Sequence, residues 1–193
     1  MRELVFLLEE RSARAMLETL LPRCLSGDIG VRLIPFEGKQ DLEKQLERRI
    51  RGYQNPRARF IVLRDQDSHP DCKQIKNQLF ALCQTSGKGT DCLVRIACKE
   101  LETFYLADLE AVESALQMKN LAQLQGKRKF RTPDDLGSPS RELRTLTSNR
   151  YQKVAGSREI GKHLQLDNGR SASFRNLVNG IRRMEAELLA LPG

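Results

Sequence analysis

The sequence predicts an α/β fold: a mostly parallel sheet flanked by helices, with a helical C-terminal extension. Three observations carry this expectation. Short runs rich in Val, Ile and Leu alternate with longer stretches of helical period, the pattern of βαβ units. The apolar runs are nearly unbroken, as in strands that helices cover on both faces. Acidic residues recur where those runs stop, as Glu9 and Glu10, Asp65 and Asp67, Glu100 and Glu102. In a parallel α/β sheet the carboxyl ends of the strands share one edge, where ligands gather.

Taken in order, residues 3 to 8 form the first strand, followed by a helix that Ser12 can cap and that carries Ala15, Met16, Leu20 and Leu21 on its apolar side. Gly27 and Gly30 end it. VRLIPF is the second strand, and KQDLEKQLERRIRG a charged helix with Leu42, Leu46 and Ile50 at four-residue spacing, closed by Gly52. Asn55-Pro56 is a turn. RFIVLR, then the helix CKQIKNQLFALC, then CLVRIA supply the third and fourth strands and the helix between them. ELETFYLADLEAVESAL reads as one long helix. After residue 117 the chain becomes polar and basic, with Gly126, Pro133, Gly137 and Pro139 as punctuation. A short helix is expected near Ser157 and a last one after Ser173, with Phe174, Leu177, Ile181, Met184 and Leu188 at three- and four-residue steps. The expected division is an α/β domain over 1–116 and a basic helical extension over 117–193 packed on it.

Among 193 residues, 33 Lys+Arg against 25 Asp+Glu give a net charge of +8, which favours anionic partners and nucleic acid first. No run approaches the roughly 20 apolar residues of a membrane span, and the amino-terminal run, with acids directly behind it, reads as a strand and not a signal peptide. Cys24, Cys72, Cys83, Cys92 and Cys98 are odd in number and lack C-x-x-C spacing, which argues against zinc and for small buried side chains in a reducing cytoplasm.

The D-x-D pair, Asp65 and Asp67, just past a strand, would point both carboxylates to similar sides of an extended backbone, a geometry that can hold one divalent ion. The same residues also read as an Asp-rich turn, with Asp71 as a helix cap. Glu9 ends the first strand, and its strand end can neighbour that of Asp65 in a doubly wound sheet. Carboxylates brought together repel unless a cation joins them, and hard oxygen ligands suit Mg²⁺ or Mn²⁺.

This order and spacing resemble the TOPRIM domain, which places a Glu after its first strand and D-x-D after a later one. Within that group the chain looks like a family of small, largely uncharacterised bacterial proteins related to RloB and the OLD-family nucleases. The resemblance rests on LVFLLEERSARAML, RFIVLRDQDS, RIACKELETFYLAD and YQKVAGSREIGKHL followed by SFRNLV. It implies a Mg²⁺- or Mn²⁺-dependent nuclease with Glu9, Asp65 and Asp67 on the metal and Glu102 or Glu100 completing the set. It further implies an ABC-type ATPase partner in phage defence. TOPRIM domains usually carry Gly after the motif Glu, whereas here Glu10 follows, as a further acid ligand or as a weakening of the site. A second literal match, Glu37-Gly38-Lys39-Gln40-Asp41, ranks lower because too little structure separates it from Asp65. In the pattern from Glu100 to Asp108, Phe104 and Leu106 read as core and Asp108 as structural or supporting the ligands.

Gly156 to His163 is one residue from a Walker A loop, with His163 in place of the hydroxyl, and neither the strand before it nor a strand after it fits. Lys162 and His163, read as lying near the start of a helix, could still bind a phosphate there. His69 reads as a proton-transfer group, an outer ligand or a surface turn residue. Lys127, Arg128, Lys129 and Arg131 surround Phe130, and Arg150, Tyr151, Lys153, Arg158, Lys162 and Arg170 follow; cations interspersed with aromatics can hold phosphates and stack a base. The leading expectation is metal-dependent cleavage of DNA or RNA, with Lys153, Arg158 or Lys162 neutralising the phosphate. The alternative is a non-catalytic nucleic-acid-binding or regulatory subunit of an ABC-type ATPase complex, and a third is a phosphoryl or nucleotidyl transferase on the same edge.

Overall fold

The computed structural model describes residues 1–192. Strands β1 (Glu3–Leu8), β2 (Gly30–Pro35), β3 (Ala58–Asp65) and β4 (Cys92–Ala97) form one parallel sheet in the order β2-β1-β3-β4. Helices α1 (Arg11–Cys24), α2 (Lys39–Arg51) and α3 (Cys72–Thr85) connect them, and α4 (Glu102–Leu106), α5 (Leu109–Ala115), α6 (Arg128–Arg131), α7 (Pro139–Leu146), α8 (Lys153–Gly161) and α9 (Ala172–Leu189) follow. The expected α/β sheet flanked by helices is therefore the fold.

Period-two alternation of the strands divides the core. Leu4, Phe6 and Leu8 of β1, with Ile61 and Leu63 of β3, face a cluster completed by α1, α4, α5, α8 and α9. Val5 and Leu7, with Phe60 and Val62, face α2 and α3 through Leu42, Leu46, Ile50, Ile75 and Leu79. Each such aliphatic side chain contributes about 1.5–3 kcal/mol when fully buried, and Leu42, Leu46 and Ile50 are all 0% exposed. The four-residue spacing in α2 thus marks the buried stripe. β2 is the sheet edge beside α1, and Val31 and Arg32 there are exposed.

Three local expectations are corrected. Glu10, not Ser12, occupies the position before α1, and the Ser12 hydroxyl donates to Glu10 Oε1 at 2.8 Å. The long helix after β4 is two helices, because Asp108 turns out of helical geometry and caps α5 by accepting from the Ala111 amide at 3.2 Å. Its other oxygen accepts from the Gln165 amide at 2.8 Å, so Asp108 serves the fold. Lys162 and His163 close α8 instead of opening a helix. The Walker-like glycines are packing residues: a Cβ at Gly161 would sit 2.7 Å from the Met16 carbonyl of α1, and one at Gly156 would meet the Tyr151 ring at 2.5 Å. They let α8 lie close to α1 and bring Tyr151 against it. Among the described residues no helix is long and apolar enough to cross a membrane.

Candidate functional site

β1 and β3 are neighbours with Leu8 opposite Leu63, and the Glu9 amide donates to the Leu63 carbonyl at 3.1 Å. This pairing delivers Glu9 and Asp65 to the same point of the carboxyl edge. Glu9 Oε2 accepts from the Asp65 amide at 2.9 Å. Burial raises the Glu9 carboxyl above its usual range, and Asp67 and Glu10 add to the effect against the Asp65 amide bond.

Asp65 is only 8% exposed. Burial, then Glu9, Glu102 and Glu10, push its carboxyl well above the ordinary aspartate range, and a backbone hydrogen bond from Leu101 opposes them. The sequence thus brings four carboxylates from three segments of the chain into one field. Glu102, 1% exposed, opens α4; burial raises it, while Lys153 and the Tyr151 hydroxyl oppose. That hydroxyl donates to Glu102 Oε1 at 2.9 Å and also lies 3.2 Å from Ser157 Oγ. Tyr105 is fully buried beside Tyr151, and its hydroxyl has no well-directed hydrogen-bond partner although Ser157 is close.

Lys153, at the start of α8, supplies positive charge here. Its ammonium pairs with Glu10 Oε2 at 2.7 Å, and Glu10, Glu102 and Asp65 together raise its pKa against the cost of burial. Beside it, a cavity of about 330 Å³ is lined by Glu10, Arg11, Ser12, Gly38, Lys153 and Val154, among others. A larger cavity of about 580 Å³ lies between α1 and β2, lined by Leu17, Leu21, Pro22 and Ile29, away from the acids.

The remaining candidates take different places. Asp67 does not continue an extended backbone: its φ is 54°, a left-handed conformation that Asp tolerates better than most residues. Its carboxylate pairs with Lys39 at 2.9 Å, so the two carboxylates of D-x-D diverge in their partners. Glu100 Oε2 accepts from the Ser140 amide of α7 at 2.6 Å. Glu37 pairs with Arg11 at the surface, and its amide donates to Asp41; with Gly38 at φ 101°, the E-G-x-x-D match forms the entrance to α2. His69 Nδ1 accepts from the Asp71 amide at 3.1 Å, in the turn where Asp71 caps α3. Among the described residues no three His, Cys, Asp or Glu side chains stand as an ion-binding group.

Of the basic residues, Arg158 pairs with Glu18 of α1, Lys162 with Glu159 and Lys129 with Glu142. Lys127, Arg128, Arg131, Arg150 and Arg170 are exposed. Phe130 and Tyr151, expected to stack a base, are 1% and 3% exposed and belong to the core instead. Sequence reasoning did not find the roles of Tyr151, Ser157 and Lys39. Lys39 and Asp67 are 28 residues apart, and the Tyr151–Glu102 contact spans 49, so no local pattern announces either.

Among curated proteins none matches the chain. Among solved structures, the fold is similar to the C-terminal region of the Burkholderia pseudomallei OLD protein, at 16% identity and a TM-score of 0.54, over 94% of this chain and 97% of that one. The expected OLD relation is thus met at the level of fold. A family model described as Domain of unknown function (DUF4276) matches residues 8–182, nearly the whole chain, and the chain belongs to that family.

Proposed function

We propose that the carboxyl edge is the active site of a TOPRIM-type nuclease that uses Mg²⁺ or Mn²⁺ to cleave a phosphodiester. One observation carries the reading: Asp65 is buried in the field of Glu9, Glu102 and Glu10, an arrangement that costs folding energy without a compensating cation. The donor set, all carboxylate oxygen, fits a hard divalent ion. Glu9 and Asp65 would hold it, with Glu102, Asp67 or Glu10 reaching it after side-chain rotation from their present partners. Such an ion, when bound, polarises a phosphoryl oxygen and lowers the pKa of water. Tyr151 fixes Glu102, and Lys153 can turn from Glu10 toward a phosphate oxygen, where a positioned cation stabilises developing charge. The similarity of fold to the OLD region and the net charge of +8 support a nucleic-acid substrate.

Purified protein with Mn²⁺ should nick plasmid DNA or cleave RNA. Asp65→Ala should reduce the rate by about 10²-fold or more while circular dichroism stays unchanged. Unaltered cleavage in both Asp65→Ala and Glu9→Ala would remove the site.

The Lys153–Glu10 ion pair and the lack of a three-residue ion group among the described residues favour a second reading. In it the protein is a non-catalytic nucleic-acid-binding or regulatory partner of an ABC-type ATPase, in phage defence. Nucleic-acid binding would then survive Asp65→Ala but weaken, with a smaller salt slope, in Lys127→Ala or Arg158→Ala.

A further inference from the structure

The five cysteines sort by position into two pairs and a single residue. Cys83 and Cys92 lie at one end of the α3–β4 contact, 0% and 8% exposed, and the Cys92 thiol donates to the Lys88 carbonyl at 3.1 Å. Cys72 and Cys98 lie at the other end, the first opening α3 and the second directly following β4. Both are half-buried, and both line a cavity of about 360 Å³ together with Lys73, Lys76, Arg95 and Asn176. Solvent therefore reaches the second pair more freely than the first, through an opening edged with cations.

The position of the accessible pair is what gives it a consequence. Cys72 closes the loop that begins at Gln66 and carries Asp67. Cys98 lies between the two carbonyls that hold this loop: the Gln66 amide donates to Ala97 at 3.0 Å and the Asp67 amide to Lys99 at 2.8 Å. The loop is thus anchored to the residues flanking one cysteine and ends on the other.

We propose that Cys72 and Cys98 are a dithiol modification site, which a small anionic disulfide oxidises to a Cys72–Cys98 cross-link that pins the loop bearing Asp67 to the end of β4. The Cys72 thiol, which opens a 14-residue helix, loses its proton to water and attacks one sulfur of the disulfide. The S–S bond breaks, one thiol leaves and takes up a proton, and a mixed disulfide remains on Cys72. Cys98, losing its proton to water, attacks the Cys72 sulfur and expels the second thiol. Two protein thiols are oxidised, and one small disulfide is reduced to two thiols. The inference does not require the edge to be a nuclease, because its readouts are thiols and amides.

The native protein is incubated with glutathione disulfide, alkylated and peptide-mapped. Two of the five thiols should disappear, and reappear with dithiothreitol, with one new linkage joining the Cys72 and Cys98 peptides. Cys98→Ser should stop at glutathione on Cys72, whereas Cys83→Ser and Cys92→Ser should still form the linkage. Amide exchange at Gln66 and Asp67 should slow by about tenfold in the cross-linked protein. No thiol loss, a Cys83–Cys92 linkage, or glutathione retained on Cys72 of the wild-type chain would overturn the pair as a site. A cross-link that leaves Gln66 and Asp67 exchange unchanged would overturn its hold on the loop. The wild-type mapping decides the first question even if a serine variant fails to fold.

Discussion

Glu3 and Asp65 are both buried carboxylates of one sheet, at opposite ends, and their surroundings are opposite too. Glu3, 6% exposed at the amino end of β1, accepts from Tyr53 Oη at 2.8 Å, Asn55 Nδ2 at 3.1 Å and Arg32 Nε at 3.2 Å. Burial works against its charge, but these donors outweigh it and hold the carboxyl below the usual glutamate range. Asp65, 8% exposed at the carboxyl end of β3, faces Glu9, Glu102 and Glu10 and is held well above the usual range. Similar solvent exposure therefore says nothing about role. A buried acid with converging donors stabilises the fold, whereas one with converging acids costs stability that a ligand can recover.

The largest stability effect should come from the satisfied end. Glu3→Gln places an amide among three donors and should lower stability by about 3 kcal/mol, or roughly 6–12 °C in Tm. A carboxyl whose folded pKa is depressed stabilises above its unfolded pKa and loses that contribution as pH falls through the folded value. The gap between wild type and Glu3→Gln, measured by urea titration, should therefore be widest at neutral pH and close as the solution becomes strongly acidic. A gap independent of pH would mean that packing, not charge, keeps Glu3 there.

Asp65→Asn should act in the other direction. A group whose folded pKa is raised helps the fold while protonated and loses that help as pH rises through the folded value. With chelator present, the Asn variant should melt roughly 3 °C above wild type at pH 7.5, and the two should converge at pH values below the ordinary aspartate range. Saturating Mn²⁺ should raise the wild-type melting temperature and leave Asp65→Asn unmoved, since only binding to the folded state is stabilising. A neutral-pH loss of stability in Asp65→Asn would break the comparison between the two ends.

Much of this was legible because backbone physics is local. Unbroken apolar runs gave four parallel strands, with CLVRIA matching β4 residue for residue, and the alternation of strand and helix brought Glu9 beside Asp65. Asp71 was readable as a cap, and its side chain accepts from the Lys73 amide. What sequence did not disclose depends on contacts between distant segments. Asp108, which breaks the helix, accepts from the Gln165 amide, 57 residues away. The Gly156–Gly161 spacing imitates a phosphate loop because close packing of α8 on Tyr151 and α1 selects the same small residue. Tyr151 stands among cations in the sequence, but its hydroxyl donates to Glu102, 49 residues away.

The smallest effect should come from the second aspartate of the D-x-D pair. Asp67 lies two residues beyond Asp65 and acts on Glu9, yet its side chain is 34% exposed and already meets Lys39, itself 47% exposed. In such surroundings water does most of what an ion pair would do, so Lys39→Met should change stability by less than about 0.5 kcal/mol. It should nevertheless free Asp67 for an incoming cation. If Asp67 is a ligand, Lys39→Met tightens Mn²⁺ binding measured by calorimetry, because the ion no longer competes with an ammonium. If Asp67 is only a turn residue, adding Asp67→Asn to Lys39→Met leaves the affinity of the single variant nearly unchanged, and the acidic edge consists of Glu9, Asp65, Glu102 and Glu10 alone.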